Sequence, residues 1–90
     1  MDDATINRTI AERLYAVAYL PARTDFASSL DAMAEAEASL TAKEWWEYTD
    51  HFWYSYETPW ETARRCLIAP ARTRALAFID ATNGREANRG

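Results

Sequence analysis

Residues 45–60 read Trp45-Trp46-Glu47-Tyr48-Thr49-Asp50-His51-Phe52-Trp53-Tyr54-Ser55-Tyr56-Glu57-Thr58-Pro59-Trp60, and these sixteen positions hold eight of the chain's twelve aromatic side chains. At about 100° per residue, Tyr48, Phe52, Trp45, Tyr56, Trp60, Trp53 and Trp46 follow one another within an arc of about 160°. Tyr54 points the opposite way. A surface helix needs a stripe of roughly 100° to face a core. The spacing therefore predicts a helix that is central or held between two partners, and core packing is its ordinary use. Trp46 and Trp53, at the stripe's edge, are the candidates for a binding surface.

The boundaries of this helix are legible on both sides. Thr41-Ala42-Lys43-Glu44 has the form of a capping box, with Leu40 and Trp45 placed as the flanking hydrophobic staple. Thr58-Pro59-Trp60-Glu61 repeats the pattern with proline at the first helical position. The aromatic helix is thus expected to end near Glu57 and another to begin at Pro59.

Upstream, Asp3 is placed as the N-cap of a first helix whose inner face carries Ile6, Ile10, Leu14 and Val17, with Pro21 as its stop. Thr24 or Asp25 caps a second helix with Phe26, Leu30, Met33 and Leu40 on one side. Glu37 lies within about 20° of the centre of that apolar arc, where a charge is costly unless paired. Arg72 or Arg74 is the expected partner, with Arg64 and Arg65 as alternatives. The competing reading is that the helix frays after Ala36 and leaves Glu37 in water. Downstream, Pro70 separates a short helix from a last one with Ala71, Ala75, Phe78, Ile79 and Thr82 inward. Asn83-Gly84 reads as its C-terminal stop, and residues 85–90 as a loose tail.

Glycine occurs only at Gly84 and Gly90, while helix formers dominate. The expectation is an all-α fold: one compact bundle of four to five short helices over residues 1–84, with a flexible segment at 85–90. Ninety residues bury a limited core, which large rings help to fill. The single cysteine, Cys66, offers no disulfide framework and suits a reducing compartment. Met1-Asp2-Asp3 is acidic where a secretory leader is basic, and no apolar run reaches membrane-spanning length. A soluble protein of the cytoplasm is expected.

The charge is uneven. Residues 1–60 carry eleven acids against four bases and residues 61–90 three against six, which gives −7 and +3 and sums to the net −4. That asymmetry either holds the C-terminal part against the acidic body or leaves a basic patch for a partner.

No constellation for catalysis stands out, so an enzyme is not expected, and neither is a cofactor. Glu47 and His51, at i and i+4 beside Asp50, have metal-ligand spacing but lie on the polar face, and no metal site is assigned. Cys66 beside Arg64 and Arg65 has no histidine base or second thiol with it. Phosphate-binding glycine loops are excluded, since no glycine precedes Gly84. Direct nucleic-acid binding through Arg64, Arg65, Arg72, Arg74, Arg85 and Arg89 is opposed by the acidic pI near 4.9. Conversely, Asp25, Asp31, Glu35, Glu44, Glu47, Asp50 and Glu57 form an acidic surface able to engage a basic groove on another protein.

Three segments resemble the small phage and prophage proteins grouped as the phage ABA sandwich domain. They are Ile6-Asn7-Arg8-Thr9-Ile10-Ala11-Glu12; the stretch from Asp25-Phe26-Ala27 through Ala38-Ser39-Leu40-Thr41; and Ala69-Pro70-Ala71-Arg72-Thr73-Arg74-Ala75-Leu76-Ala77-Phe78-Ile79. Relatives carry a glycine- and tryptophan-rich strand segment between the first two blocks, where this chain has only the link around Pro21. Helices are therefore expected to pack directly on helices, with Glu37 and the Arg72/Arg74 pair as the interior polar contact. The resemblance carries no catalytic residues and implies an origin in a mobile genetic element expressed inside a bacterium. By that analogy, the expected role is a binder that inhibits a host protein, most concretely an anti-CRISPR-like inhibitor of an effector subunit. Its contact residues would be Trp46, Trp53, Tyr54, Glu44, Glu47, Asp50 and Glu57. The alternatives are a nucleic-acid or nucleotide binder using the C-terminal arginines, and a structural homodimer.

Overall fold

The last long helix, not the aromatic one, is the hub. The computed structural model describes residues 1–52, 64 and 69–87. Among them are five helices and no strand: α1 (Asp3–Tyr15), α2 (Leu30–Glu37), α3 (Ala42–Asp50), α4 (Ala71–Ala81) and α5 (Asn83–Ala87). The protein is an all-α bundle of short helices, as its glycine-poor, helix-favouring composition implies. α4 packs against α1, α2 and α3. Its buried residues are Ala71, Ala75, Ala77, Phe78, Ile79 and Ala81. The distance between packed helices depends on the side chains at the contact, so this alanine-rich surface lets three neighbours draw close. Ile6, Ile10 and Leu14 of α1, Phe26, Met33 of α2, Tyr48 of α3 and Phe78 are all fully buried around it. Each such side chain contributes about 1.5–3 kcal/mol.

Among the described residues α3 packs along one side, on α4, rather than at the centre. Its capping box forms as predicted: the Glu44 N–H donates to Thr41 Oγ1 (3.2 Å), and the Thr41 N–H donates to Glu44 Oε1 (2.9 Å). The helix then stops at Asp50 rather than near Glu57. His51 and Phe52 close it with tighter i→i−3 bonds to the Tyr48 and Thr49 carbonyls (3.3 and 3.0 Å). A nine-residue helix against α4 needs only a narrow stripe, and Tyr48 and Phe52 supply it. Their rings meet edge to face at 5.6 Å. Trp45, expected inside, is 46% exposed and leans on Tyr48 at 5.5 Å between centroids. Trp53, Tyr54, Tyr56, Glu57, Trp60, the Thr58–Glu61 capping box, Arg65, Cys66 and Arg89 lie outside the described residues.

Other boundaries shift for local reasons. Asp2, not Asp3, caps α1, accepting from the Thr5 N–H at 2.8 Å. α1 ends at Tyr15, well before Pro21, so Val17 falls outside it and is exposed. α2 starts at Leu30 because Ser29 is its cap, accepting from the Ala32 N–H. Phe26 reaches the core from the preceding turn, which Asn7 ties to α1 by accepting the Ala27 N–H at 2.8 Å. The largest correction concerns the end. Asn83-Gly84 opens α5 instead of releasing a tail, and Arg85 is 5% exposed.

The exit from α1 is a Schellman turn. The Tyr19 N–H donates to the Leu14 carbonyl (2.9 Å) and the Ala18 N–H to that of Tyr15 (3.0 Å). Ala18 occupies the left-handed position at φ 59°, a conformation that costs a residue with a Cβ roughly 1–2 kcal/mol and that glycine adopts readily. Ala18→Gly is therefore expected to raise the unfolding free energy in urea by about 0.5–1 kcal/mol; an unchanged or lower midpoint would show that this turn carries no strain.

Candidate functional site

The candidate surface is the outer face of α3, and its position follows from how the inner face is held. At the N-terminal end Glu44 does double duty. Besides its part in the capping box, its carboxylate accepts a two-pronged pair from Arg85: Nε to Oε2 and Nη2 to Oε1, both 2.8 Å. Arg85 also donates to the Ser39 carbonyl (2.9 Å) and to that of Arg13 (3.2 Å), and its guanidinium lies 5.5 Å from the centre of the Phe78 ring. α5 thereby clamps α1, the α2–α3 junction and α4 together. Burial pushes the Glu44 carboxyl up, but Arg85 and the Thr41 N–H outweigh it and hold the group below its ordinary value. Glu44, expected on the binding surface, is half-buried with its carboxylate turned to Arg85.

One turn further on, Tyr48 fixes the rotation of α3. Its hydroxyl donates to Glu37 Oε2 at 2.5 Å, and Arg74 Nη1 lies 3.4 Å from Glu37 Oε1. Arg74 Nε donates to the Ala69 carbonyl at 3.0 Å. Glu37 is thus held inside by Arg74, as its place on the apolar arc required. Arg72 does not join it. Two residues along a helix is about 200° of rotation, so only one of the two arginines can face α2. Arg72 turns outward to the Asp3 carboxylate and the Met1 carbonyl.

With Glu44, Tyr48 and Phe52 turned inward, helical geometry turns Trp46, Glu47 and Asp50 outward. Trp46 is 78% exposed. Glu47 and Asp50 are exposed as well, and neither has an ion pair or side-chain hydrogen bond among the described residues. Other acids are occupied: Asp25 pairs with Arg23 at 2.8 Å, Asp31 lies 3.8 Å from the same arginine, and Glu35 accepts the Ala22 N–H at 2.6 Å. His51 contacts Asp80 of α4 at 3.5 Å rather than turning toward Glu47. Among the described residues no group of three His, Cys, Asp or Glu side chains is placed to hold a metal ion.

Arg13 is the main feature that the sequence reading missed. It is 5% exposed, and its Nη1 donates to the Ile79 carbonyl (2.7 Å) and Thr82 Oγ1 (3.0 Å), with Nη2 to Asn83 Oδ1 (3.3 Å). It caps the C-terminal end of α4, whose own last turn has no base. A signal existed. Arg13 falls within about 20° of Ile6 around α1, the same intrusion on an apolar face that marked Glu37. No local pattern marks Arg85, whose partners are 41 to 72 residues away.

No protein-family model matches the chain, and neither does any curated protein or solved structure. Among the described residues no helix is long and apolar enough to cross a membrane.

Two variants test the anchoring of α3. Tyr48→Phe leaves the Glu37 carboxylate short of a charge-assisted hydrogen bond and is expected to cost about 1.5–3 kcal/mol in urea unfolding. Glu44 has a folded-state pKa below its ordinary 4.5. The stability it contributes is therefore complete above that pH and lost as pH falls through the folded value. Glu44→Gln is expected to be less stable at pH 7 and to lose less between pH 5 and 3 than the parent chain; parallel pH profiles would refute the Glu44–Arg85 link.

Proposed function

We propose that this chain is a non-enzymatic, phage- or prophage-encoded protein that binds and inhibits a host protein in the bacterial cytoplasm. The outer face of α3 is its contact surface. An anti-defence role is the concrete form of this reading, with a CRISPR effector subunit as target. The observation that carries the binding surface is Trp46: a 78% exposed indole on a helix braced from behind, flanked by exposed carboxylates. Exposed tryptophan is costly in water and is among the residues that contribute most at protein interfaces. The phage origin rests on the three sequence blocks quoted above.

The nucleic-acid reading draws less support, because three of the six arginines it would use are engaged. Arg72 pairs with Asp3, Arg74 with Glu37 and Arg85 with Glu44. Of the other C-terminal arginines, Arg64 is exposed.

Capture from host lysate on the immobilised full chain is expected to recover a stoichiometric host protein, and Trp46→Ala is expected to weaken that complex by at least about tenfold without altering the far-ultraviolet circular dichroism. Recovery of no host protein, or equal recovery by the variant, would overturn the assignment of this face.

A further inference from the structure

Resting on that reading of α3, the geometry points to the chemistry of the partner: we infer that Trp46 and Asp50 together receive an arginine side chain from a segment of the bound protein. The two residues are at i and i+4, on one side of the helix and separated by about 6 Å of rise. An indole face attracts a cation, and arginine more often than lysine occupies such positions. A planar guanidinium can stack on the ring while presenting its N–H fork to a carboxylate, which an ammonium cannot do. The molecule uses this combination internally, where Arg85 pairs bidentately with Glu44 and lies over Phe78.

Charge placement selects the same occupant. Asp50 is the last residue of α3, at the negative end of the helix dipole, and that last turn contains no base. A carboxylate there is electrostatically unfavourable and a cation favourable. Glu47 lies one turn back on the adjoining flank, and Asp80 of α4 contacts His51 just beyond the helix end. Lys43, the one base of α3, is exposed at the other end of the same face, so the negative potential gathers at the Asp50 end beside the indole, and a bound guanidinium relieves it.

The test uses the full chain and a blocked octapeptide alternating arginine and glycine, with the matching lysine peptide as control. In a titration followed by the Trp46 indole N–H resonance, assigned by its loss in Trp46→Phe, the arginine peptide is expected to bind about threefold to tenfold more tightly than the lysine peptide. Asp50→Asn is expected to abolish that preference while raising the thermal midpoint of the unliganded protein by about 2–4 °C. A purely structural Asp50 would lower the midpoint instead. Equal binding of the two peptides, or an unchanged preference in Asp50→Asn, overturns the arginine assignment. Trp46 shifts that track the protein's own concentration without peptide assign the face to a second copy and overturn it too. If Trp46→Ala still abolishes host-protein capture, the α3 surface stands and only the arginine falls; if capture is also unaffected, both fall.

Discussion

The closeness with which three helices can approach α4 is the constraint on which the bundle depends. Ala71, Ala75, Ala77 and Ala81 present little side chain, so the apolar faces of α1, α2 and α3 converge on one short cylinder. Their larger residues interlock in the spaces between. A bulkier residue at Ala75, which is fully buried, would have to displace a neighbouring helix, because protein interiors are packed at crystal density and do not absorb added methylenes. Among the described residues the aromatic side chains are therefore partitioned: Tyr48, Phe26, Phe52 and Phe78 fill the core, while Trp45 and Trp46 remain outside it.

Such a smooth core specifies rotation poorly, and polar contacts supply what alanine cannot. Arg13 and Arg85 place charge where water is excluded, and the Glu37–Arg74 pair is half-buried, at a desolvation cost that well-packed apolar residues would avoid. Each also dictates geometry. Tyr48 sets the rotation of α3 through Glu37, Arg85 sets the α2–α3 junction against α5, and Arg13 holds the end of α4 against α1. Only with these three orientations in place does the outer face of α3 have a defined shape.

Much of this was legible in sequence where the signal is local. The capping box at Thr41, the inward face of α4 and the demand of Glu37 for a partner are set by residues within one or two helical turns of one another, and they form as read. What local pattern cannot register is competition between distant parts. The aromatic stripe predicts a central helix only if that helix continues to Glu57, but α3 closes at Asp50. Asn83-Gly84 is a reasonable stop for α4, yet tertiary contacts turn the following residues into α5. Trp46 was identified at the edge of the stripe and is exposed. Glu44 is counted with the acidic surface in the sequence, and nothing near it in the chain foretells Arg85.

The reach of Arg85 has a consequence for synthesis. Its carbonyl and carboxylate acceptors lie on Arg13, Ser39 and Glu44, and Arg13 in turn waits for Ile79, Thr82 and Asn83. As the chain leaves the ribosome, α1 and the α2–α3 junction emerge long before the residues that satisfy them. Contacts of such sequence separation close loops late and slow folding. The apolar faces of the first three helices thus remain open until α4 and α5 have followed them out, a period during which they are exposed to chaperones and to self-association.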